Sequence, residues 1–174
     1  KYHDEYTHKL CAAWEQQALQ AGNAGIRVCI VRTGLVLASK GGMLQNMLLP
    51  FKLNLGGTLG DGHQYMPWIH ISDMINLLIF LASNKDLKGV FNASAPNPVT
   101  NHEFTTELAK QLHRYKLLPA PKWLLKILLG EMSSLLLTGQ RALPQRALEN
   151  GFNFTYPRLA PALNNILTKG KKIL

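Results

Sequence analysis

Apolar residues recur at helical spacing in the first part of the chain. Leu10, Trp14 and Ala18 fall on one face together with Tyr6, because residues three and four apart are neighbours on a helix. The pattern predicts a helix over residues 4–21, and the glycines that follow it predict where that helix ends.

A short and nearly continuous apolar run follows at residues 26–32. Runs of this kind are typical of a parallel strand that is covered on both faces. A helix, a tight link and a buried strand make up half of a β/α crossover unit. The loop at residues 33–42 then lies at the carboxyl end of the strand, which is where open α/β sheets bind their ligands.

The most distinctive stretch of the chain is residues 56–73. Four glycines in its first seven residues predict a hairpin with close backbone approach. Residues 64–71 are rich in aromatic and β-branched side chains, which favour a strand. Either Ser72 or Asp73 is expected to cap the next helix, at residues 74–83. Because that helix is apolar nearly all round, we expect it to be buried.

Further elements follow the same patterns on either side of this stretch. Residues 43–53 are apolar enough to form a helix, and residues 89–93 predict another short strand. Thr100 and Glu103 make a capping box, which predicts a helix that runs to about residue 114.

The last part of the chain is patterned as helices. Residues 118–121 contain two prolines and predict a stiff linker. Helical patterning follows in three segments, at residues 123–137, 144–150 and 157–167. We therefore expect one domain over residues 1–99 and a mostly helical cap over residues 100–174.

Charge and composition narrow the class of partner. The formal net charge of +9 favours nucleic acid, an acidic membrane or an anionic ligand. However, the basic residues are spread along the chain, and no helix-turn-helix, zinc-finger or aromatic RNA-binding signature occurs. Burial in the cap explains the apolar residues 123–129 at least as well as a membrane-surface helix does. We expect a protein that binds a small-molecule substrate, and neither nucleic acid nor a membrane.

The two cysteines and the start of the chain bear on the compartment and the length of the protein. Cys11 and Cys29 lack the close spacing of a metal pair. We interpret them as reduced core thiols, which favours the cytoplasm, and no metal site is expected. The chain begins at Lys1 without a Met, so we interpret it as part of a longer protein.

Several short segments carry a specific resemblance to a known family. They are LCAAWE at residues 10–15, RTGLVL at 32–37, GG at 41–42, LPF at 49–51, GGTLG at 56–60 and WIHISD at 68–73. Together they resemble an atypical branch of the extended short-chain dehydrogenase/reductase superfamily, the NAD-dependent epimerase/dehydratase-like proteins. Later segments such as residues 140–146 resemble the small C-terminal domain of unknown function of that branch, at about residues 119–168.

The resemblance implies an α/β fold, namely the distal half of a Rossmann-type doubly wound parallel sheet followed by a small, mostly helical C-terminal domain. The nucleotide-binding half and the catalytic serine of the superfamily are then expected upstream of Lys1. NADP or NAD would be bound mainly by that half, so we expect residues 1–174 alone to have no measurable affinity for the dinucleotide.

Two functions are compatible with the resemblance. The first is an NAD(P)-dependent oxidoreductase or epimerase that acts on a small carbonyl or hydroxyl substrate, nucleotide sugars among them. The second is a non-catalytic NAD(P)-binding regulator or scaffold, similar to cell-division-inhibitor-like members of the branch.

The catalytic pair of the superfamily is a Tyr followed four residues later by a Lys. When the segments are aligned on Glu15, those positions fall at Thr7 and Cys11, so the pair is degenerate. Tyr6 and Lys9 are the nearest candidates for acid/base catalysis. The alternative is that Tyr6 belongs to the apolar helix face and Lys9 is a solvated charge.

The cofactor-binding candidates are Arg32, Thr33 and Gly34. By resemblance, they lie beside the nicotinamide end of the cofactor. The alternative is a strand terminus in which Arg32 pairs with a carboxylate and Gly34 makes the turn.

The substrate-binding candidates lie in the distinctive stretch. Gln64 and Tyr65 are beside the glycines, and Trp68 and His70 alternate along the strand and so point to one side of it. The alternative is that Trp68 packs in the core and His70 bonds to a backbone carbonyl.

Two arginines in the C-terminal part, Arg141 and Arg146, flank Pro144. Arginine matches the geometry of phosphate and carboxylate, so these residues could reach an anionic substrate. We favour the alternative, in which they dock the small domain onto the larger one.

Overall fold

Parallel strand pairing organises the part of the chain that the structure describes. The computed structural model describes residues 6–121, 127 and 138–171. The strands are β1 Cys29–Thr33, β2 Leu35–Leu37, β3 Gly57–Leu59, β4 Tyr65–Met66, β5 Trp68–His70, β6 Gly89–Ala93, β7 Val99–Thr100 and β8 Leu117–Ala120. The helices are α1 Tyr6–Gln20, α2 Gly42–Lys52, α3 Ile71–Ser83, α4 Asn101–Gln111, α5 Gln145–Glu149 and α6 Leu159–Lys171.

The apolar run at residues 26–32 leads into a parallel strand, as predicted, but the strand lies at Cys29–Thr33 and its residues are half-buried or exposed rather than covered on both faces. β1 pairs in parallel with β6, from Cys29 opposite Gly89 to Thr33 opposite Ala93. β2 follows directly and pairs in parallel with β5. Strands that run parallel need long connections, usually helical, and α3 supplies the connection from β5 to β6. The mixed α/β fold with parallel strands is therefore confirmed.

Two clusters of buried side chains form the core. One contains Ile69, Leu77 and Phe91, and residues of α5 and the following loop complete it. The other contains Leu37 and Trp68 among residues of β2, α2, α4 and α6. The helices after residue 144 thus share their cores with the strands. The boundary at residue 99 between two domains stays a prediction.

The glycine-rich stretch does not form the predicted hairpin, and residues 118–121 are not a linker. β3 pairs in parallel with β8, and β4 pairs antiparallel with β7. The Leu117 amide donates to the Gly56 carbonyl, and the Gly60 amide donates to the Ala120 carbonyl, both at 2.9 Å. Pro119 has no N–H to donate to the strand pairing. Proline is tolerated here because the pairing is short and lies at an edge.

The helix after the glycine-rich stretch begins earlier than predicted. It starts at Ile71, and the His70 side chain caps it by accepting a hydrogen bond from the Ser72 amide at Nδ1, over 3.1 Å. The expectation that Ser72 or Asp73 is the cap was wrong. A neutral imidazole has one nitrogen that can accept this hydrogen bond. Histidine is not among the residues usually preferred at the N-cap, so the sequence did not indicate it.

Asp73 has a different function from capping. Its carboxylate is fully buried and accepts hydrogen bonds from the backbone amides of Thr155 and Tyr156, both at 2.8 Å. Charged acceptors make the stronger hydrogen bonds. The start of α3 is therefore bonded directly to the loop that precedes α6.

The apolar helix α3 is buried on one side only. Leu77 and Leu81 are buried, but Ile75, Leu78 and Ile79 are 49%, 44% and 58% exposed. The expectation of burial all round was therefore wrong. A helix this apolar that leaves part of its surface open is typical of one that packs against further protein.

The helices predicted from capping and periodicity are confirmed where the structure describes them. Thr100 and Glu103 form both hydrogen bonds of the capping box at α4, and Phe104 and Leu108 are buried. α5 and α6 match two of the three predicted C-terminal segments. The third, at residues 123–137, lies outside the described residues except for residue 127. In the described ranges, no helix is long and apolar enough to cross a membrane.

Replacing Asp73 by Asn should destabilise the protein by about 2 to 3 kcal/mol, because two hydrogen bonds lose their charge and one amide then faces an NH₂ group. Urea unfolding of the D73N variant measures this loss. The matched control is D86N, at an exposed turn, where the change should stay within about 0.5 kcal/mol. Equal unfolding midpoints for D73N and the parent would show that the two hydrogen bonds of the Asp73 carboxylate do not stabilise the protein.

Candidate functional site

A cleft of about 750 Å³ opens at the carboxyl ends of β1 and β6. Arg32, Thr33 and Gly34 line it from β1, and Asn92 and Ser94 line it from β6 and the turn after it. The remaining wall comes from the C-terminal part of the chain, at residues 140–143, 145, 146 and 149. The cleft thus occupies the edge where open α/β sheets bind ligands.

Gly34 is the point at which the chain changes its strand partner. Its amide donates to the Ala93 carbonyl at 3.0 Å, and the next amide, of Leu35, donates to the Pro67 carbonyl. A Cβ atom at Gly34 would lie 2.6 Å from the Pro67 oxygen and 3.2 Å from the Ala93 oxygen. The backbone at Pro67 and Ala93 therefore leaves room for hydrogen alone at this position.

Arg32 is held by a carboxylate from α1. Its Nε and Nη2 atoms donate to the two Glu15 oxygens, each over 2.7 Å. This hydrogen bonding lowers the pKa of the Glu15 carboxyl and raises the pKa of Arg32, with burial opposing both shifts. The bidentate geometry fixes the plane of the guanidinium group at the rim of the cleft.

The segment after residue 138 is fastened across the cleft by side chains of the sheet. Asn92 Nδ2 donates to the Leu143 carbonyl at 3.0 Å, and Ser94 Oγ donates to the Ala142 carbonyl at 3.1 Å. A Cβ atom at Gly139 would come within 2.0 Å of the Tyr65 carbonyl oxygen. The backbone of this segment is therefore positioned at both of its ends.

The two arginines of the C-terminal part have different surroundings. Arg146 donates to the carbonyls of Val90 at 2.7 Å and Lys88 at 2.9 Å, and its guanidinium lies 4.5 Å from the centre of the Phe91 ring. It therefore docks α5 onto β6, as the favoured interpretation has it. Arg141 instead lies over the Tyr65 ring, 5.7 Å from its centre.

The structure brings the three cofactor-binding candidates together at the cleft, and the structural alternative for Arg32 and Gly34 is compatible with that position. Arg32 pairs with a carboxylate and Gly34 makes a tight crossing, yet both line the cleft beside Thr33. Their contact with a cofactor stays a prediction.

The substrate-binding candidates lie elsewhere in the described part of the chain. Gln64 is buried and donates to the Leu59 carbonyl at 3.0 Å. Trp68 is buried in the core, and buried His70 stacks on Tyr156 with 3.9 Å between ring centres. Tyr65 is half-buried beneath Arg141. None of the four lines the cleft, and their substrate roles stay predictions.

The acid/base candidates start helix α1. Tyr6 is its first residue, and its side chain lies outside the described part. Lys9 is exposed and lies about a third of a turn around the helix from Glu15. Cys11 is exposed rather than in the core, and both it and Cys29 are free thiols. The catalytic assignment to Tyr6 and Lys9 stays a prediction.

Asn92 and Ser94 line the cleft but were not among the candidates from the sequence. They follow or end a predicted strand, so the rule that placed ligands at the end of β1 also applies to them. Metal chemistry has no such support, because the described residues contain no cluster of His, Cys, Asp and Glu side chains suited to an ion.

Two protein-family profiles match the chain. The NAD dependent epimerase/dehydratase family matches residues 2–94, and a domain of unknown function, DUF1731, matches residues 120–166.

The chain is also similar to curated proteins. It is 42% identical over 163 residues to the "Epimerase family protein SDR39U1 homolog, chloroplastic" of Arabidopsis thaliana. The aligned region covers 94% of this chain and 47% of that protein. It is 39% identical to the epimerase family protein YfhF of Bacillus subtilis, with 92% and 52% covered. The chain thus spans about half the length of these relatives.

Solved structures agree with the fold. The human epimerase family protein SDR39U1, crystallised with NADPH, has a TM-score of 0.78 and 38% identity, over 82% of this chain and 48% of that one. A nucleoside-diphosphate sugar epimerase from Corynebacterium glutamicum has a TM-score of 0.74 and 26% identity, over 99% of this chain and 35% of that one. A UDP-N-acetylglucosamine 4-epimerase from Bacillus cereus, at 12% identity and a TM-score of 0.65 over 88% and 50%, shares the fold alone.

Replacing Gly34 by Ala should lower the free energy of unfolding by about 1 to 3 kcal/mol. The new methyl group would overlap the backbone of Pro67 and Ala93, which is held by strand pairing. Gly22 is the matched control, since a Cβ atom there meets nothing within 4 Å, and G22A should not destabilise the protein. Chemical unfolding of both variants is the measurement. A loss in G22A as large as in G34A would show that the crossing at Gly34 is not tight.

Replacing Glu15 by Gln should remove a pH-dependent part of the stability. Because the pKa of folded Glu15 is lowered, the ion pair contributes fully above the unfolded pKa of about 4.3, and the contribution disappears as the pH falls through the folded pKa. The pair is partly exposed, so about 0.5 kcal/mol is expected. Unfolding free energies at pH 7 and pH 3 should differ less in E15Q than in the parent, and a pH-independent difference between the two proteins would contradict the pairing.

Proposed function

This chain belongs to the NAD dependent epimerase/dehydratase family, and on that premise we propose that the full product of its gene is an NAD(P)-dependent oxidoreductase or epimerase. The proposed substrate is a small molecule with a carbonyl or hydroxyl group, nucleotide sugars among them. The observation that carries the proposal is the cleft at the carboxyl end of β1, where Arg32, Thr33 and Gly34 meet. Support comes from the human relative that was crystallised with NADPH.

The residues present fit one end of such a cofactor. Thr33, Asn92 and Gln140 bring hydroxyl and amide groups to the cleft, which are the groups that hydrogen-bond a carboxamide. The fingerprint G-x-G-x-x-G, which binds the pyrophosphate of dinucleotides, does not occur in the sequence. The polar groups in the cleft therefore support binding of the nicotinamide end there.

A bound nicotinamide would supply the acceptor or donor of hydride. The residues of this chain position the reactants around it. The Glu15 pair fixes Arg32 at the rim, Gly34 keeps the backbone close to the cleft, and the segment fastened by Asn92 and Ser94 forms the opposite wall. Tyr6 and Lys9 are the proposed groups for proton transfer.

A second function is favoured by a specific observation. The two positions of the family's catalytic pair are Thr7 and Cys11, neither of which replaces a Tyr beside a Lys in acid/base chemistry. A protein with these residues could bind the dinucleotide without turnover and act as a regulator or scaffold. The free Cys11 and Cys29 thiols support a reducing compartment such as the cytoplasm for either function.

The full gene product should bind NADPH with micromolar affinity in a fluorescence titration and oxidise it with at least one compound from a panel of small aldehydes, ketones and nucleotide sugars. Loss of absorbance at the nicotinamide band measures turnover. Binding without turnover across the panel would favour the regulator, and the absence of binding would contradict both functions.

Two comparisons locate the binding. T33V should weaken NADPH binding up to about tenfold by removing one hydrogen bond. T168V, whose hydroxyl bonds within α6, should leave the affinity unchanged. Residues 1–174 alone should not bind NADP in a calorimetric titration, and micromolar binding by them would place the phosphate site within this chain.

A further inference from the structure

The cleft is lined by three arginines and by one acidic side chain, Glu149. Two of the guanidinium groups are already bonded within the protein. Arg32 makes a bidentate pair with Glu15, and Arg146 donates to two backbone carbonyls of the β6 strand and its approach. Glu149 accepts from Gln145 on its own helix. The third guanidinium, that of Arg141, has no such partner among the described residues.

Arg141 is held against an aromatic ring rather than against an acceptor. Its guanidinium lies 5.7 Å from the centre of the Tyr65 ring, within the range of a cation–π contact. A guanidinium group has five N–H donors in a planar fork. A cation–π contact does not use these N–H donors in hydrogen bonds, so they are available to a ligand.

The backbone around Arg141 is positioned by contacts on both sides. Gly139 packs so closely on the Tyr65 carbonyl that no side chain fits there, and the Ala142 carbonyl accepts from buried Ser94. A surface arginine on an unsupported loop has no such anchors. Arg141 is therefore placed in the cleft with little rotational freedom in its main chain, which lowers the entropy cost of binding.

We propose that Arg141 recognises an oxyanion of the substrate, a carboxylate or a phosphate, and so selects acidic carbonyl or hydroxyl compounds over neutral ones. Arginine binds either group through two parallel N–H···O bonds. Glu149 is the one acidic group on the lining and is already engaged by Gln145, so the cleft favours a negatively charged ligand. This inference rests on the proposed function, because only an enzyme has a substrate.

The same cleft holds both Arg141 and the β1 edge at Thr33 and Gly34. An oxyanion bound at Arg141 would therefore anchor one end of a small molecule. The other end of the molecule would lie in the same cleft, which Thr33 and Gly34 also line. Anchoring of this kind orients a reactant before reaction and accounts for selectivity between acids and neutral compounds.

Calorimetric titration of the cofactor-free full gene product tests the proposal, with sodium phosphate and sodium malonate as the two probes at constant ionic strength. The parent protein should bind at least one probe. Tighter binding of phosphate would assign a phosphate ester, and tighter binding of malonate would assign a carboxylate. Failure of both probes to bind would overturn the proposal.

The variants make the assignment specific to the side chain. R141Q should weaken binding of the preferred probe at least tenfold, and R141K, which keeps the charge but loses the fork, should weaken it less. R158Q removes an exposed arginine that does not line the cleft and should bind the probe as the parent does. Unfolding midpoints of R141Q and the parent should agree, which excludes misfolding. Equal probe affinity in R141Q and the parent would overturn the proposal.

A parallel NADPH titration separates this inference from the proposed function. If R141Q loses the anion but the parent protein does not bind NADPH, the cofactor proposal fails and the anion site remains. If the parent binds NADPH but R141Q keeps the anion, the inference fails alone. If R141Q weakens NADPH as much as it weakens phosphate, the oxyanion belongs to the cofactor and the substrate reading is overturned.

Discussion

The exchange of strand partners at Gly34 links the two parallel strand pairs β1–β6 and β2–β5. At this residue the chain leaves its pairing with β6 and begins its pairing with β5, and the carbonyls of Ala93 and Pro67 both accept from it or its neighbour. A side chain at that position would occupy space already held by backbone. The crossing therefore fixes where β1 ends, and with it the location of Arg32 and Thr33 at the cleft.

Hydrogen bonds between distant parts of the chain build the other wall of the cleft. Asp73 at the start of α3 holds the backbone before α6, while Asn92 and Ser94 hold the segment that carries Arg141. In each case a side chain of the strand-rich part bonds to main-chain atoms of the C-terminal part. The two parts are joined by directional polar contacts in addition to shared apolar cores, so the geometry of the site depends on both.

Local features of the fold could be predicted from the sequence. The capping box at Thr100 depends on residues three positions apart, and the parallel strand β1 depends on one apolar run, so nearby residues suffice. The β8 strand, in contrast, exists because β3 lies beside it, about 60 residues earlier in the chain. Asp73 likewise finds its partners 82 and 83 residues away. Pairings of this range leave no periodic pattern in the sequence.

The candidate site was also predictable only where nearby residues define it. The rule that ligands bind at the carboxyl ends of parallel strands pointed to the loop at residues 33–42, because the rule needs only the strand. Thr33 and Gly34, at the start of that loop, line the cleft together with Arg32. The sequence left open whether Trp68 and His70 line a pocket or pack inward. The choice depends on distant residues, since Trp68 packs in the core and His70 stacks on Tyr156. The cation–π contact of Arg141 also joins residues far apart in the chain, and only the folded structure reveals it.

The most direct test of the account is a crystal structure of the full gene product with NADPH. The account predicts that the nicotinamide ring lies in the cleft, with its atoms within about 4.5 Å of the backbone of Thr33 and Gly34, the ordinary limit of van der Waals contact. A nicotinamide ring bound elsewhere on the protein, with the β1 edge open to solvent, would contradict the account.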